Sequence, residues 1–344
     1  MNCISVLSLL SYDRNQFGRA GRERLLPRQK KFMTNVFIDG QAGTTGLELA
    51  SRLAERKDLT ILQIPEDSRK DLSARSAIYT KADIVILCLP DQAAAEAAEV
   101  IGDKCRVIDA STAHRIHKDW TYGLPELTST QRQRIAGADK VSNPGCYPQG
   151  YLLLVRPLIE EGILSAETLL RCNALSGYSG GGKAMISKLE KTPCNDEGMV
   201  SRIYGLNLDH KHVSEMQIHS GSQVRPIFIP TVCSFYRGMT IQISLFSSEL
   251  NGHQAKDVYD CLHKRYENER FIKVIPFGSS KPLTEDFLNP LGCNETNEME
   301  LMVFGNREQI HLIARYDNLV KGAAGSAIQN LNIMLGCDEN IGLI

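Results

Sequence analysis

Val36-Phe37-Ile38-Asp39-Gly40-Gln41-Ala42-Gly43-Thr44-Thr45-Gly46 decides the fold. A short apolar strand runs through a glycine turn into a helical pattern, with Leu47, Leu49, Ala50, Leu53 and Ala54 spaced along one face of 46–56. A G-x-x-G-x-x-G loop at a strand-to-helix junction suits a dinucleotide. Gly40 permits the tight turn, Gly43 lets the backbone approach a pyrophosphate, and Gly46 allows close helix–sheet packing. The amides of the helix start and the Thr44 and Thr45 hydroxyls then hold the phosphates. The spacing departs from the commoner G-x-G-x-x-G, and a turn without ligand is the plainer alternative.

Downstream, short apolar runs keep alternating with helical patterns. Strands are expected at 60–64, at 83–89 ending on Pro90, and at 106–109, with an alanine-rich helix at 92–101. This βαβ succession predicts an α/β chain whose first part is a Rossmann-type, doubly wound parallel sheet. About 20 residues beyond the glycine loop stands Glu66-Asp67-Ser68-Arg69-Lys70. An acid there would bind the ribose hydroxyls of NAD, whereas Ser68, Arg69 and Lys70 suit the additional phosphate of NADP, which is the expected cofactor.

The pattern changes after Gly145. A helix (148–161) is followed by strands with polar alternation at 168–175, 225–231 and 239–246, so a second, α+β domain is expected. A last helix at 324–335 follows the loop 317–322. The expected organisation is an extension at 1–32, a nucleotide-binding domain at 33–145, an α+β domain at 146–316 and a returning C-terminal segment at 317–344.

Ser142-Asn143-Pro144-Gly145-Cys146-Tyr147-Pro148 carries the most specific chemical signal. Cys146 follows a turn and precedes a helix, where free amides and the helix dipole stabilise a thiolate and lower its pKa. A thiol nucleophile needs a proton manager. The stretch from Tyr204 to His212, followed by Glu215, offers His210 and His212, of which only one is expected to face Cys146. H-x-H also occurs in metal sites, but no further ligands follow at suitable spacing, and no metal is expected. His219, His253, His263 and His311 stand alone and read as structural or surface residues. Asp109-Ala110-Ser111-Thr112-Ala113-His114-Arg115 follows a strand, and Arg115 could clamp a carboxylate or phosphate. Ser176-Gly177-Tyr178-Ser179-Gly180-Gly181-Gly182-Lys183 makes a second anion nest before a helix.

The chain has 344 residues, 42% hydrophobic and 23% charged, which suits a globular protein of two domains and excludes fibrous or disordered classes. Lys+Arg (39) and Asp+Glu (40) nearly cancel to −1, so overall charge does not favour nucleic acid or membrane as a partner. That balance conceals Arg14, Arg19, Arg22, Arg24, Arg28, Lys30 and Lys31 in the first 32 residues, opposed only by Asp13 and Glu23. The segment reads as a disordered or non-native extension, with a transit peptide or functional arm as alternatives, and folding is expected to begin at Met33. Ten cysteines without any C-x-x-C point to reduced thiols in a cytoplasmic protein.

A dinucleotide loop, one activated cysteine and a histidine are the equipment for acyl-thioester chemistry coupled to hydride transfer. The chain resembles the semialdehyde dehydrogenase superfamily in VFIDGQAGTTGLELASRL (36–53), 107–115, 142–150, 176–183, 210–215 and DNLVKGAAG (317–325), a likeness running from about Met33 to Leu335. Within it the chain is similar to the short-form branch that reduces N-acetyl-γ-glutamyl phosphate to its semialdehyde in arginine biosynthesis. The resemblance implies Cys146 as nucleophile and the His210/His212 pair as acid–base. It implies substrate contacts from Arg115, Asn143, Glu215 and Ser111. NADP contacts fall to Gly40, Gly43, Thr44, Thr45, Gly46, Ser68, Arg69, Lys70, Pro90, Ser179, Gly180, Gly181 and Asn318. The α+β domain becomes a catalytic and dimerisation domain, inorganic phosphate is released, and a homodimer or homotetramer is expected. Val213-Ser214 stands where the family motif usually has proline. Aspartyl or N-acetyl-aminoadipyl phosphate is the nearer alternative substrate. A serine hydrolase built on Gly177-Tyr178-Ser179-Gly180-Gly181 with Asp209 is the distant one, and a non-catalytic redox-sensing dinucleotide binder is another.

Overall fold

The computed structural model describes residues 33–191 and 201–343. The readings of the 1–32 segment lie outside them. The first part contains β1 (Thr34–Asp39), α1 (Thr44–Leu53), β2 (Leu59–Leu62), α2 (Leu72–Tyr79), β3 (Ile84–Leu87), α3 (Asp91–Ile101), β4 (Arg106–Asp109), β5 (Thr121–Tyr122), α4 (Gln131–Gly137) and β6 (Lys140–Ser142). Its six strands form one sheet in the order β2-β1-β3-β4-β6-β5, with every pair parallel. Central β3 is buried along its whole length, which is why it reads as an unbroken apolar run. The chain leaves β1 for one neighbour (β2) and later returns to its other side (β3), so the sheet opens a crevice beyond the carboxyl ends of these strands. The glycine loop emerges there.

The second part contains α5 (Cys146–Glu160), β7 (Arg171–Gly177), α6 (Gly182–Glu190), β8 (Ser201–Ile203), α7 (Val213–Ser220), β9 (Ile227–Cys233), β10 (Met239–Phe246), α8 (Ala255–Tyr266), β11 (Ile272–Val274), β12 (Leu283–Thr284), β13 (Phe287–Leu288), β14 (Met299–Gly305), β15 (Gln309–Tyr316) and α9 (Gly325–Leu335). Seven strands make a mixed sheet, β11-β14-β15-β10-β7-β9-β8, and β12 pairs with β13 in a separate hairpin. Tyr151, Leu152, Val155 and Leu158 of α5 join Ile241, Ile243 and Leu312 of the sheet in the largest core cluster. Burial of such side chains, at about 25 cal/mol per Å² of apolar surface, holds α5 firmly under the sheet.

Helix α9 sets Ser326, Gln329, Asn330 and Asn332 among apolar residues and is buried throughout residues 325–334. Its Ala327, Ile328 and Leu331 share a core with Val36, Leu49 and Ile108 of the first sheet. A π-turn, Val320–Ala324, leads into it. There Lys321, wholly buried, donates to Glu126 at 2.8 Å and to Gln329 at 2.9 Å.

Several boundaries differ from the periodicity reading, three of them for a readable reason. Helix α5 begins at Cys146 itself, two residues early, because extended Gly145 is its cap. Helix α1 begins at Thr44, so Thr44 and Thr45 supply first-turn amides. The strand expected from Thr168 starts at Arg171, since Thr168 donates its amide to Ser165 in a turn.

Candidate active site

The glycine loop closes on itself: the Gly43 amide donates to the Gly40 carbonyl at 2.9 Å. Gly40 has φ +89°, and a Cβ there would run into the Cys88 carbonyl at the end of β3. The turn therefore needs glycine twice over, for its backbone angle and for its approach to the neighbouring strand. At Gly46 the reason differs from the expected helix–sheet contact. A Cβ would lie 2.5 Å from the Gly40 carbonyl oxygen, so Gly46 lets α1 pack on its own loop. Helix α1 has no side-chain cap and no acidic residue in its first turn, and the buried Thr44 hydroxyl has no partner. Free amides and an orphaned hydroxyl at one helix start fit the phosphates of a dinucleotide.

Gly43, Thr44 and Thr45 open into a cleft of about 440 Å³ between the two sheets. Its other walls include Arg115, Asn143, Cys146, Ser179, Gly180, His212 and Asn318, all anticipated, and Cys88, Leu89, Lys183 and Lys211, absent from the expected contacts. Residues separated by 275 positions thus meet in one crevice. Gly322 of the π-turn closes over Cys146, where a Cβ would sit 3.0 Å from that of the cysteine.

Cys146 occupies the first turn of α5, and the Tyr147 amide donates to its sulfur. Burial nevertheless pushes the thiol up to about 11, against the lowering by the Arg115 guanidinium, the Tyr147 amide and the Lys211 ammonium. A helix start alone predicts a depressed pKa; here desolvation outweighs it. His212 is 6% exposed, and the Arg115 guanidinium lies 3.1 Å from its Nε2. A permanent cation can only donate, so Nε2 accepts and the proton sits on Nδ1, which is buried without a partner. Burial, then Arg115, holds His212 well below its ordinary value. His212 therefore stands beside the cleft as a neutral ring.

His210 supports rather than faces the cleft. Its Nδ1 accepts the His212 amide at 3.2 Å, and its ring packs edge-on to Tyr147 and Phe228. Burial lowers it to about 4. Glu215, expected on the substrate, is 2% exposed and lies outside the cleft lining. It accepts from the Gly145 amide at 2.8 Å and Tyr122 at 2.6 Å, and meets Arg115 at 3.4 Å. Ser111 likewise turns inward, with its hydroxyl and amide on Asp109 at 2.8 Å. Asn143 lines the cleft, while its side chain bridges the Ala323 carbonyl and Asn330, each at 3.0 Å. Asn318 joins the sides of the cleft, donating to Ser179 at 2.9 Å and accepting from the Gly238 amide at 2.8 Å.

Ser68, Arg69 and Lys70 follow β2 outside the cleft lining, and Arg69 pairs with Glu66. Pro90 caps α3 and Gly181 packs against Met185, both also outside the lining. The serine-hydrolase arrangement does not form: Ser179 is bonded to Asn318, and Asp209 pairs on the surface with Arg225 at 2.9 Å. Among the described residues no His/Cys/Asp/Glu cluster could hold a metal, eight cysteines are unpaired, and no helix is long and apolar enough to cross a membrane. The Lys321–Glu126 pair behind the cleft escaped the sequence reading, because a lone lysine in a glycine-rich loop carries no signal of burial.

The family model described as "Semialdehyde dehydrogenase, NAD binding domain" matches residues 35–136, and "Semialdehyde dehydrogenase, dimerisation domain" matches 146–318. The chain is 45% identical over 317 residues to N-acetyl-gamma-glutamyl-phosphate reductase 2 of Nostoc sp., covering 90% of this chain and 98% of that one. It is 46% identical over 307 residues to N-acetyl-gamma-glutamyl-phosphate reductase of Brucella suis, covering 88% and 98%. Among solved structures, aspartate semialdehyde dehydrogenase II from Vibrio cholerae superposes with a TM-score of 0.66 at 18% identity, covering 88% of this chain and 99% of that one. Aspartate semialdehyde dehydrogenase with NADP from Candida albicans gives 0.62 at 13%, covering 88% and 99%. These two show the shared fold.

Proposed function

The chain belongs to the semialdehyde dehydrogenase family, and on that premise we propose that it reduces N-acetyl-γ-glutamyl phosphate to N-acetylglutamate 5-semialdehyde with NADPH, as a step of arginine biosynthesis. The observation that carries this reading is the single cleft joining Cys146 and His212 to the uncapped start of α1. Cys146 attacks the acyl carbonyl; the S–C bond forms, the C–O bond to phosphate breaks, and a thioester remains. His212 Nε2, giving up its contact with Arg115 Nη1, takes the thiol proton and passes it to the departing phosphate oxygen. The Cys146 amide, without an intrahelical acceptor in the first turn, is the donor available to the oxyanion. The Gly145 amide is not, since Glu215 holds it. NADPH, when bound, would supply the hydride for the thioester carbonyl, and cleavage of the C–S bond then frees the semialdehyde and returns the Cys146 thiolate. Thr44, Thr45, Gly180 and Asn318 are the cleft residues assigned to the nucleotide, and Ser68, Arg69 and Lys70 to its 2′-phosphate. We further assign a nucleotide-binding domain at 33–145, a catalytic domain at 146–316 that self-associates as a dimer or tetramer, and a cytoplasmic location.

The reverse reaction tests the assignment. N-acetylglutamate semialdehyde, aspartate semialdehyde and the N-acetylated aminoadipate analogue are compared with phosphate and either NADP or NAD. The expected order puts N-acetylglutamate semialdehyde with NADP first and leaves Cys146→Ser inactive; preference for aspartate semialdehyde, or activity in that variant, would refute it.

A further inference from the structure

Arg115 looks from the sequence like the substrate's anion clamp, yet its side chain is already engaged. Its Nε donates to the Asn143 carbonyl at 2.9 Å, Nη1 faces His212 at 3.1 Å and Glu215 at 3.4 Å, and Nη2 donates to the Ala110 carbonyl at 3.0 Å. Four of its five N–H donors are spent on protein, which leaves none of the paired geometry a bidentate phosphate contact requires. Two other cations line the cleft, Lys183 and Lys211, both exposed. Neither has a hydrogen bond or ion pair among the described residues. They stand at different walls. Lys183 belongs to the glycine-rich turn that opens α6, whereas Lys211 sits between His210 and His212, in a turn held by the amide bond joining those two. The Lys211 charge is felt at the Cys146 sulfur and at Asp91, whose carboxylate is already occupied by the Thr112 amide and hydroxyl.

Resting on the acyl-phosphate reading above, we infer that Lys211 is the seat of the leaving phosphate. As the Cys146 S–C bond forms, the electron pair of the breaking C–O bond departs on orthophosphate. The thiol proton reaches that oxygen through His212, and the Lys211 ammonium faces the resulting dianion from the open side of the cleft. Arg115 stays in place as the group that orients His212 and the Asn143–Gly145 loop.

Two measurements test this, one of them independent of the substrate. In the reverse reaction, Lys211→Met is expected to raise KM for inorganic phosphate at least about tenfold, the factor that one lost charge contact of ordinary strength represents. KM for the semialdehyde stays within about twofold, and Lys211→Arg restores most of the loss. Separately, alkylation of Cys146 by iodoacetate and by iodoacetamide is followed by mass spectrometry of its peptide. Lys211→Met is expected to lower the iodoacetate-to-iodoacetamide rate ratio several-fold, and Lys183→Met to leave it unchanged. The inference fails if Lys183→Met produces the loss instead, or if Lys211→Met moves neither phosphate KM nor the alkylation ratio. A wild-type protein that turns over no acyl phosphate yet keeps a Lys211-dependent ratio supports the anion seat and refutes only the reaction assigned above.

Discussion

Gly145→Ala places a methyl group where three polar ends converge. Its Cβ would lie 2.6 Å from Arg115 Nη1, 2.6 Å from His212 Nε2 and 2.9 Å from Glu215 Oε2. Ordinary contact begins near 3.5 Å, so two buried nitrogens must each retreat by about 0.9 Å. The Arg115–His212 and Arg115–Glu215 contacts, at 3.1 and 3.4 Å, then pass beyond hydrogen-bonding range. Lost charge-assisted bonds at about 1.5–3 kcal/mol each, partly recovered by relaxation, put the cost near 2–4 kcal/mol. For a chain of this size that lowers Tm by about 3–6 °C. Misplacement of His212 by most of an ångström costs kcat about a hundredfold, with substrate KM moving far less. Gly137→Ala is the internal control, since nothing lies within 4 Å of its Cβ, and it is expected to be neutral or to stabilise by up to ~1 kcal/mol. Differential scanning calorimetry and steady-state reduction assays read both. If Gly145→Ala keeps Tm within a degree of wild type and kcat within twofold, the convergence of Arg115, His212 and Glu215 on this residue is not what holds the site.

Three further outcomes follow from the geometry. His212→Asn should lower kcat about 10²- to 10⁴-fold as a lost acid–base, whereas His210→Asn, acting through the His212 amide, should cost less; equal losses measured in the same assay would remove the distinction. Cys146 alkylation by iodoacetamide should rise about tenfold per pH unit from 7 to 10 without levelling, because its thiol ionises near 11. A plateau below pH 8 contradicts the desolvated thiol. Since a raised pKa favours the protonated form in the fold, this group's contribution to stability is present below the unfolded value near 9 and is lost as pH rises toward 11. Lys321→Met should destabilise by about 3–5 kcal/mol in chemical denaturation, because Glu126 is left charged and buried. Lys321→Met with Glu126→Gln should recover part of that loss, and no recovery would show that the pair is not coupled.

The sequence by itself marked the glycine loop, the first strands and helices, and Cys146 as the candidate nucleophile. Gly40 to Gly46 between a buried strand and an amphipathic helix, and Cys146 just after Pro144-Gly145, are local patterns whose physics needs only a few neighbours. The glycine loop, the parallel first sheet and an α+β second domain follow from such periodicities. The tertiary structure decided everything that depends on burial and on distant partners. Cys146 lies at a helix start, yet desolvation rather than the helix dipole sets its thiol. His212 and His210 are two residues apart and indistinguishable in the string, but only His212 lines the cleft, because α7 begins beside it and His210 is spent holding its amide. The resemblance implies substrate contacts for Glu215, Ser111 and Arg115, and the fold ties all three into hydrogen bonds that brace the loops around the cysteine. Lys321 and Glu126, 195 positions apart, become a buried pair only when α9 returns to the first sheet. Charge and polarity are properties of a residue, but whether they meet a ligand or another side chain is settled by which segments the core brings together.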